Sequence, residues 1–287
     1  METTHDCLPC FIRQALEAVR FATSDQDVHE SVLRRVLTAA ADMDLKQSPP
    51  LMGQVIHRLV RQISGNDDPY KSVKAASNRF ALKMYPLLKE KIEKSAAPVE
   101  TAVRFAIAGN IIDFGVNNEI SPEIIEATIE RSLTDSLCGS RNVLQQFVFP
   151  GKKILYLGDN AGEIVFDRML IEKLSADRIF YAVRGGPVIN DATLADAEET
   201  GMTGLVDVVD NGSDAPGTVL SECSADFLRL FEDADFVIAK GQGNFETLSH
   251  VNKPIVFLLK AKCPVIARHI GCDIGTAVIW QRFFPTD

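Results

Sequence analysis

The feature of this sequence that most restricts its fold is a change of hydrophobic pattern near residue 150. Beyond it the chain alternates short apolar runs, such as KILYLG, RIFYAVRG and PIVFLLKA, with amphipathic stretches, such as AGEIVFDRMLIEKL. Apolar strands that alternate with helices are typical of a mainly parallel sheet covered on both faces. We therefore predict that residues 151–287 form a doubly wound, three-layer α/β domain.

The chain before residue 150 has a helical pattern instead. Its apolar residues recur every three to four positions, as in CFIRQALEAVRFA and HESVLRRVLTAAADM. A third segment, SPPLMGQVIHRLVRQIS, begins with Ser48 as a cap and with prolines in its first turn, where a missing N–H costs little. Pro86 predicts a kink or break in a long fourth segment. No part of this half resembles a strand, so residues 1–150 are predicted to form an all-helical domain.

Composition restricts the partners and the compartment. The 287 residues, 46% of them hydrophobic, suffice for a sizeable core or two domains. A net charge of -9 argues against nucleic acid or an anionic membrane as a partner, but a bound metal can reverse the local sign for a phosphorylated substrate. We see no apolar window long enough to span a membrane and no signal peptide. Six cysteines without an export signal predict a cytoplasmic protein with reduced thiols.

Polar residues follow four of the predicted strands, at the edge where open parallel sheets bind ligands. Strand by strand they are Gly158, Asp159, Asn160, Gly162 and Glu163; Arg184, Gly185, Gly186, Asn190 and Asp191; Asp210, Asn211, Gly212 and Ser213; and Lys240, Gly241, Gly243, Asn244 and Glu246. Each cluster alone is typical of a turn or a helix cap. Chance caps would not also supply Arg184 and Lys240, so the four clusters together predict a functional site.

The residue types in these clusters indicate phosphoryl chemistry. Asp159, Asn160 and Asp191 are hard oxygen donors, which suit Mg²⁺ or Mn²⁺. Arg184 and Lys240 are cations that can hold an anionic substrate, and backbone N–H groups in KGQGNFE suit phosphate oxygens. Acids for a metal beside cations for a phosphate predict metal-assisted phosphoryl transfer, of which hydrolysis is the simplest form. The sequence leaves open whether Asp159 is only a metal ligand or also a nucleophile.

Three other site types fit less well. A dinucleotide fingerprint requires G-x-G-x-x-G, whereas LYLGDNAGE has only Gly158 and Gly162. A covalent phosphatase of the haloacid-dehalogenase type usually has a second aspartate two residues after the first, where this chain has Ala161. GNFETLSH contains no nucleophile-elbow motif, and no serine-hydrolase triad is evident.

Four motifs in the second half carry a family resemblance. In order along the chain they are LGDNAGEIVFDR, VRGGPVINDAT, DNGSDAPGT and AKGQGNFETLS. Together they resemble the metal-dependent damage-control phosphatases, long catalogued as domain of unknown function eighty-nine. CLPC, DPYKSVKAASNRFA and RFAIAGNIIDFG in the first half resemble the cysteine-bearing, mostly prokaryotic branch of that family. The resemblance covers nearly the whole chain.

The resemblance implies a helical domain packed on a catalytic α/β domain, with a divalent metal between them. The family's metal ligands correspond to Asp159, Asn160 and Asp191, and its phosphate-contacting lysine to Lys240. The implied activity is hydrolysis of phosphate esters of small metabolites, often sugar phosphates or damaged metabolites. Transition metals such as Mn²⁺, Co²⁺ or Ni²⁺ are preferred in the family, and the oxygen ligands also permit Mg²⁺. The alternatives are a non-catalytic metal- or nucleotide-binding sensor and an adenosylmethionine-dependent methyltransferase.

Several further residues are candidates for contact with the substrate. The full set is Arg184, Lys240, Gly241, Asn244, Glu163, Asn110 and Asp113. Asn110 and Asp113 lie three positions apart in GNIID and so share one helical face, from which we expect them to reach the cleft.

Cys7 and Cys10 have the C-x-x-C spacing of a zinc site but lack a second pair nearby. Cys263 or Cys272 would have to complete such a site through the fold. The alternative is that these thiols simply pack as small apolar groups in a helix.

Overall fold

A computed structural model describes residues 1–109, 122–139, 141–148, 151–174 and 179–283. The helices are α1 Cys7–Ala22, α2 Gln26–Asp42, α3 Pro49–Ser64, α4 Lys71–Glu93, α5 Pro98–Ala108, α6 Pro122–Thr134, α7 Glu163–Ile171, α8 Leu194–Glu199, α9 Ala225–Asp233, α10 Gly241–Leu248 and α11 Pro264–Ile270. The strands are β1 Leu137–Gly139, β2 Ile154–Leu157, β3 Ile179–Val183, β4 Asp207–Asp210, β5 Phe236–Lys240, β6 Ile255–Lys260 and β7 Ala277–Arg282.

The strands form one sheet in the order β1-β7-β6-β5-β2-β3-β4. Every neighbouring pair is parallel except β6 and β7, which are antiparallel. From β2 the chain builds outward through β3 and β4, and then returns to β5 on the other side of β2. The carboxyl ends of β2 and β5 therefore flank the topological switch point, where doubly wound sheets bind their ligands. The predicted mainly parallel α/β fold is confirmed.

Alternate residues of the strands enter two hydrophobic cores on opposite faces of the sheet. In β2, Ile154 and Tyr156 pack on the face covered by α4, α5 and α7. Leu155 and Leu157 pack on the other face, against α9, α10 and α11. Strands buried on both faces explain the continuous apolar runs in the sequence, and the arrangement confirms the three layers.

The first three helices pack around a separate core, which includes Phe11, Val32 and Ile56. Helices α4 and α5, by contrast, belong to the core of the sheet. The expectation of no strand before residue 150 was wrong, because β1 pairs with β7 at the edge of the sheet. The domain boundary near residue 150 stays a prediction.

Two smaller expectations can be compared with the structure. Pro86 lies inside α4, which continues to Glu93 rather than ending at the proline. In the part of the chain that the structure describes, no helix combines the length and the apolar character needed to cross a membrane.

Candidate metal centre

Main-chain hydrogen bonds hold together the two loops that carry the predicted metal ligands. Asn160, after β2, and Asp191, after β3, form an isolated antiparallel bridge. The Ala161 N–H donates to the Asn190 carbonyl at 2.8 Å, and the Ala192 N–H donates to the Asp159 carbonyl at 2.8 Å. The backbone therefore fixes the spacing of the ligand loops without help from their side chains.

The side chain of Asn160 links two carboxylates. Its Nδ2 donates to Asp159 Oδ2 at 2.9 Å and to Glu163 Oε2 at 3.1 Å. Because the amide nitrogen is used for donation, Oδ1 is the Asn160 atom that a cation would contact. Two aspartates and an amide oxygen are the ligands that hard divalent cations prefer, so this donor set fits the expected metal.

Arg184, the residue directly after β3, is 2% exposed and contacts both aspartates. Its Nε donates to Asp191 Oδ2 at 2.6 Å, and its Nη2 lies 3.7 Å from Asp159 Oδ1. That Nη2 is buried and makes no hydrogen bond to any described residue. Buried donors are almost always satisfied in folded proteins. This guanidinium donor beside Asp159 is therefore available to an acceptor oxygen that is not supplied by the described residues.

The first residue of α10, Gly241, must be a glycine because its backbone approaches the Asp159 carboxylate closely. Its φ is +79°, and a Cβ added there would lie 1.9 Å from Asp159 Oδ2. Any side chain would therefore displace the carboxylate or the backbone. The approach also brings the first turn of α10 to the ligand loop, at the switch point between β2 and β5.

Asn244, about one helical turn after Gly241 in α10, connects three chain segments by hydrogen bonds. Its Nδ2 donates to the carbonyls of Lys240 at 2.7 Å and Gly158 at 3.2 Å. Its Oδ1 accepts from the Thr218 hydroxyl at 2.8 Å. The fully buried amide is thus engaged with protein on both sides, and these contacts favour a positioning role for a residue that the sequence suggested as a substrate contact.

Lys240 lies at the end of β5 and is fully buried. Its Nζ donates to Glu163 Oε1 at 2.6 Å, to Asp167 Oδ1 at 2.5 Å and to the Ala106 carbonyl at 2.7 Å. Because an ammonium group has three donors, contact with a phosphate would require Lys240 to release one of these oxygens. Its predicted role in phosphate binding stays a prediction.

Asp167 belongs to the same network and was not predicted from the sequence. It is fully buried and accepts hydrogen bonds from the hydroxyls of Tyr156 at 2.7 Å and Tyr181 at 2.8 Å. Its spacing of four from Glu163 on one helix was a usable signal, because such residues share a helical face.

The centre carries more negative than positive charge. Its members are the carboxylates Asp159, Glu163, Asp167 and Asp191 and the cations Arg184 and Lys240. If all are ionised, two negative charges are uncompensated, which matches the charge of a divalent cation.

The pKa values of these groups reflect the same excess of negative charge. Burial, followed by repulsion from Glu163 and Asp191, raises the pKa of Asp159 well above its usual value. Burial also raises the pKa of Asp191, in spite of Arg184. For Lys240, burial lowers the pKa but Asp167 and Glu163 outweigh it, so the pKa is raised and the ammonium form is retained. A bound cation would relieve the repulsion around Asp159.

A residue of the helical half of the chain, not predicted from the sequence, also supports the loop that carries Asp159 and Asn160. Asn78 of α4 is fully buried, and its Oδ1 accepts from the Gly162 N–H at 2.7 Å. Its Nδ2 donates to Asp196 at 3.0 Å and to Glu199 at 2.8 Å. Asn78 lies in the segment DPYKSVKAASNRFA. A polar residue in a helical pattern does not indicate which distant group it will bind, so the contact with Gly162 could not be predicted.

Two further predictions have different outcomes. Asn110 and Asp113 lie outside the described residues, so their expected place in the cleft stays a prediction. Within the described ranges, no group of three or more His, Cys, Asp or Glu side chains is arranged to hold a metal ion. The candidate centre, two aspartates with an asparagine, does not depend on such a group. A zinc site built from Cys7 and Cys10 finds no support in these residues.

Comparison with known proteins identifies the family of this chain. The family model of the damage-control phosphatase ARMT1-like domain matches residues 3–278. A damage-control phosphatase of Pyrococcus horikoshii is 38% identical over 295 residues, 99% of this chain and 99% of that protein. A damage-control phosphatase of Archaeoglobus fulgidus is 34% identical over 280 residues, 95% of this chain and 96% of that protein. An uncharacterized protein of Methanocaldococcus jannaschii is 38% identical over 289 residues, 96% of this chain and 94% of that protein.

A solved structure extends the comparison to three dimensions. The crystal structure of a DUF89 family protein from Pyrococcus horikoshii superposes with a TM-score of 0.89 at 36% identity, over 98% of this chain and 99% of that chain. Fold and site together define a doubly wound α/β protein with an acidic oxygen-donor centre at its switch point. The chain belongs to the damage-control phosphatase ARMT1-like domain family, and the resemblance inferred from its motifs is confirmed.

Proposed function

We propose that this protein is a metal-dependent phosphatase that hydrolyses phosphate esters of small metabolites. The observation that carries the proposal is the buried Nη2 of Arg184, an unsatisfied donor 3.7 Å from Asp159. Family membership and the names of the Pyrococcus and Archaeoglobus relatives support the same reaction class. All six cysteines are free thiols, which fits the reducing cytoplasm where we expect the protein to act.

Asp159, Asn160 and Asp191 would hold the divalent cation, which we expect to be Mn²⁺, Co²⁺, Ni²⁺ or Mg²⁺. When bound, such an ion supplies Lewis-acid polarisation of a phosphoryl oxygen and lowers the pKa of a water molecule. The uncompensated negative charge of the centre and the raised pKa of Asp159 support cation binding at this place.

Arg184 would bind the phosphoryl group directly. Its Nε is held by Asp191 at 2.6 Å, which fixes the guanidinium plane and leaves Nη2 directed beside Asp159. Preorganised donors of this kind contribute about 3–4 kcal/mol each to the stabilisation of developing charge. The N–H groups in the first turn of α10 lie next to Asp159 through Gly241 and would add further donors.

Glu163 and Lys240 would position the ligands. Lys240 holds one oxygen of Glu163 at 2.6 Å, and the other oxygen accepts from Asn160 at 3.1 Å. This chain of contacts orients the Asn160 amide, so that its oxygen is available for the cation. Loss of Lys240 would therefore affect the metal ligands as well as any contact of its own with phosphate.

The test is phosphate release from para-nitrophenyl phosphate and a panel of sugar phosphates by the purified protein with each metal in turn. We expect metal-stimulated turnover. Measured at saturating metal, Arg184→Lys should lower kcat/KM by about 100- to 1,000-fold, as for loss of a preorganised donor. Arg229→Lys, which changes an exposed arginine of α9, is the matched control. Absence of metal-stimulated release from every ester would refute the proposal, and ligand binding without product would favour a sensor.

Two chemical routes remain distinguishable by experiment. If Asp159 is the nucleophile, rapid acid quenching during turnover should trap a protein heavier by one phosphoryl group, mapped to Asp159 by mass spectrometry. We propose that Asp159 acts as a ligand and that water attacks directly, so no such species should accumulate. Its detection at Asp159 would reverse this assignment without affecting the phosphatase activity itself.

A further inference from the structure

Residues 184–191, the β3 loop, end at Asp191 and lie against the three-helix unit formed by α1, α2 and α3. Ile189 of this loop packs against the core of that unit. Its φ is +45°, a left-handed value that is an outlier for a β-branched residue. Such strain persists only where the surrounding structure over-determines it, and it clusters at functional sites. The packing that keeps Ile189 in this conformation therefore bears on the aspartate two residues later.

Arg61 of α3 holds the same loop by a hydrogen bond. Its Nη1 donates to the Pro187 carbonyl at 2.6 Å, and its Nη2 donates to Asp214 Oδ2 at 2.5 Å. The donors of a guanidinium group form a rigid fork, so one contact fixes the direction of the other. Because Asp214 follows β4, Arg61 connects α3 with the segments that follow two neighbouring strands.

Asp214 has a second partner on α3 that secures it. Its Oδ1 accepts from Gln54 Nε2 at 2.9 Å. Burial raises the pKa of Asp214, but hydrogen bonds from Arg58, Gln54 and Arg61 outweigh burial, and the pKa falls to about 2. The carboxylate is therefore ionised at neutral pH and holds the Arg61 guanidinium beside Pro187.

A tight turn carries the position of Pro187 and Ile189 to the proposed metal ligand. The Asp191 N–H donates to the Val188 carbonyl at 3.0 Å, so Ile189 lies inside a turn that ends at Asp191. The main-chain ladder fixes the spacing of the two ligand loops, whereas this turn fixes the direction in which the Asp191 side chain leaves the backbone. A shift of Pro187 or Ile189 would therefore redirect the Asp191 carboxylate.

The beginning of the β3 loop has little freedom to compensate for such a shift. The Gly185 N–H donates to the Ser213 carbonyl at 2.8 Å. A Cβ at Gly185 would lie 2.6 Å from the backbone of Gly212, so the two loops are packed main chain against main chain. With its beginning fixed, the loop depends on Arg61 and Ile189 for the placement of its far end.

We propose that Arg61 and Ile189 are positioning residues of the metal centre, which dock the turn before Asp191 on the three-helix unit and so hold this ligand in place. The inference rests on the proposed function, because that proposal assigns Asp191 to the cation. It gives the N-terminal helices a part in metal binding, although each proposed ligand follows a strand of the sheet.

The first experiment tests the anchor without any metal. Amide hydrogen exchange of the metal-free protein is followed by NMR in Arg61→Met and in the matched control Arg58→Met. Arg58 also lies on α3 and donates to Asp214 at 2.6 Å, but its hydrogen bonds within the described ranges do not reach the β3 loop. Gln54 and Arg61 still hold Asp214 in the control.

The Asp191 N–H is the reporter in this comparison. We expect it to exchange about tenfold faster in Arg61→Met, because local opening of the loop becomes easier. In Arg58→Met its rate should stay unchanged, and the amides of β5 report any loss of global stability in either variant. Equal exchange of the Asp191 N–H in the two variants would overturn the anchor.

The second experiment measures metal affinity by calorimetric titration with Mn²⁺. Arg61→Met should weaken binding by about tenfold, the lower end of the effect of groups that support metal ligands, and Arg58→Met should leave it unchanged. A role in stability alone would lower Tm in Arg61→Met without this loss of affinity, and that result would overturn the positioning role.

Ile189 provides a test that does not depend on Arg61. Ile189→Gly removes the anchor at a residue type that adopts a positive φ freely, and it should weaken Mn²⁺ binding by about tenfold. Ile189→Leu restores an apolar side chain of the same size and should restore the affinity. The control Val32→Ala removes methyl groups from the fully buried Val32 in the same core, and it should lower Tm without a change in affinity. Equal affinity in Ile189→Gly and Ile189→Leu would contradict the proposal.

The outcomes separate this proposal from the phosphatase function. Metal-stimulated hydrolysis by the unmodified protein, with the same Mn²⁺ affinity in Arg61→Met and Arg58→Met, would remove the positioning role and leave the phosphatase intact. Absence of Mn²⁺ binding by the unmodified protein would contradict both, whereas weaker binding in Arg61→Met and Ile189→Gly without hydrolysis of any ester would support the positioning role and contradict the phosphatase function.

Discussion

Gly241→Ala offers a test of the metal centre that leaves every proposed ligand in the sequence. The new Cβ would lie 1.9 Å from Asp159 Oδ2, whereas real Cβ contacts essentially never fall below 3.0 Å. The carboxylate or the backbone must therefore move by more than 1 Å. Substitution of a residue that hydrogen-bonds a metal ligand weakens metal affinity by about 10- to 100-fold, so displacement of a ligand itself should cost on the order of 100-fold.

The matched control is Gly271→Ala. Gly271 has a φ of +82°, close to the +79° of Gly241, but a Cβ there meets nothing within 4 Å. Both variants therefore place alanine at a positive φ, which costs about 1–2 kcal/mol in the left-handed region. Only Gly241→Ala adds the collision with Asp159, so the difference between the variants isolates the effect on the ligand.

The assay is thermal unfolding with and without Mn²⁺, beside direct calorimetric titration of the metal. At a metal concentration of 100 times Kd, metal binding should raise the free energy of unfolding of the unmodified protein and of Gly271→Ala by about 2.7 kcal/mol each. If the metal affinity of Gly241→Ala is 100-fold weaker, the same metal concentration should raise its free energy of unfolding by only about 0.4 kcal/mol. At about 2–4 °C for each kcal/mol, the metal-induced rise in Tm should be about 5–9 °C smaller. Equal metal affinity in the two variants would refute the reasoning.

Three further predictions address the supports of the site and the stability of the fold. Lys240→Met should lower the free energy of unfolding by about 3–5 kcal/mol in urea titrations, because it leaves the buried carboxylates of Glu163 and Asp167 without their cation. The control Lys153→Met removes an exposed ion pair with Asp233 and should lower the free energy of unfolding by less than about 1 kcal/mol. Asn78→Ala removes the acceptor of the Gly162 N–H and should weaken Mn²⁺ binding by about 10- to 100-fold in calorimetric titrations; unchanged affinity would exclude a positioning role. Burial lowers the pKa of His57 to about 3 from 6.5, so its contribution to stability is complete above pH 6.5 and is lost as pH falls toward 3. Between pH 6.5 and 5, unmodified protein should therefore lose about 2 kcal/mol more than His57→Leu, and parallel pH profiles would contradict this.

The sequence was informative wherever structure follows from local pattern. Apolar runs predicted β2, β3, β5 and β6, because strands buried on both faces need apolar residues at every position. The polar residues that follow β2, β3, β4 and β5 could be grouped because parallel strands share an edge. The contacts among Asp159, Asn160, Glu163 and Arg184 agree with that grouping.

Interactions that depend on distant partners were not predictable in this way. Strand β1 has three residues, and it exists because Leu137 pairs with Ala277, far along the chain. Asp167 lies in an apolar helical segment, where only the fold reveals the lysine and the tyrosines that satisfy it. Asn78 similarly acquires its role from a loop that begins about eighty residues later. Hydrophobic periodicity carries no information about such pairings.

The short main-chain ladder between the two ligand loops has a consequence for how this centre can change. Its hydrogen bonds run through the backbone of Asp159, Ala161, Asn190 and Ala192, and so are indifferent to the side chains at positions 160 and 191. A mutation that exchanges an oxygen donor for a nitrogen donor at position 160 or 191 would therefore leave the main-chain hydrogen bonds between the two loops in place. In the proposed centre, single substitutions at these two positions could therefore change the metal preference while the main-chain ladder stays the same.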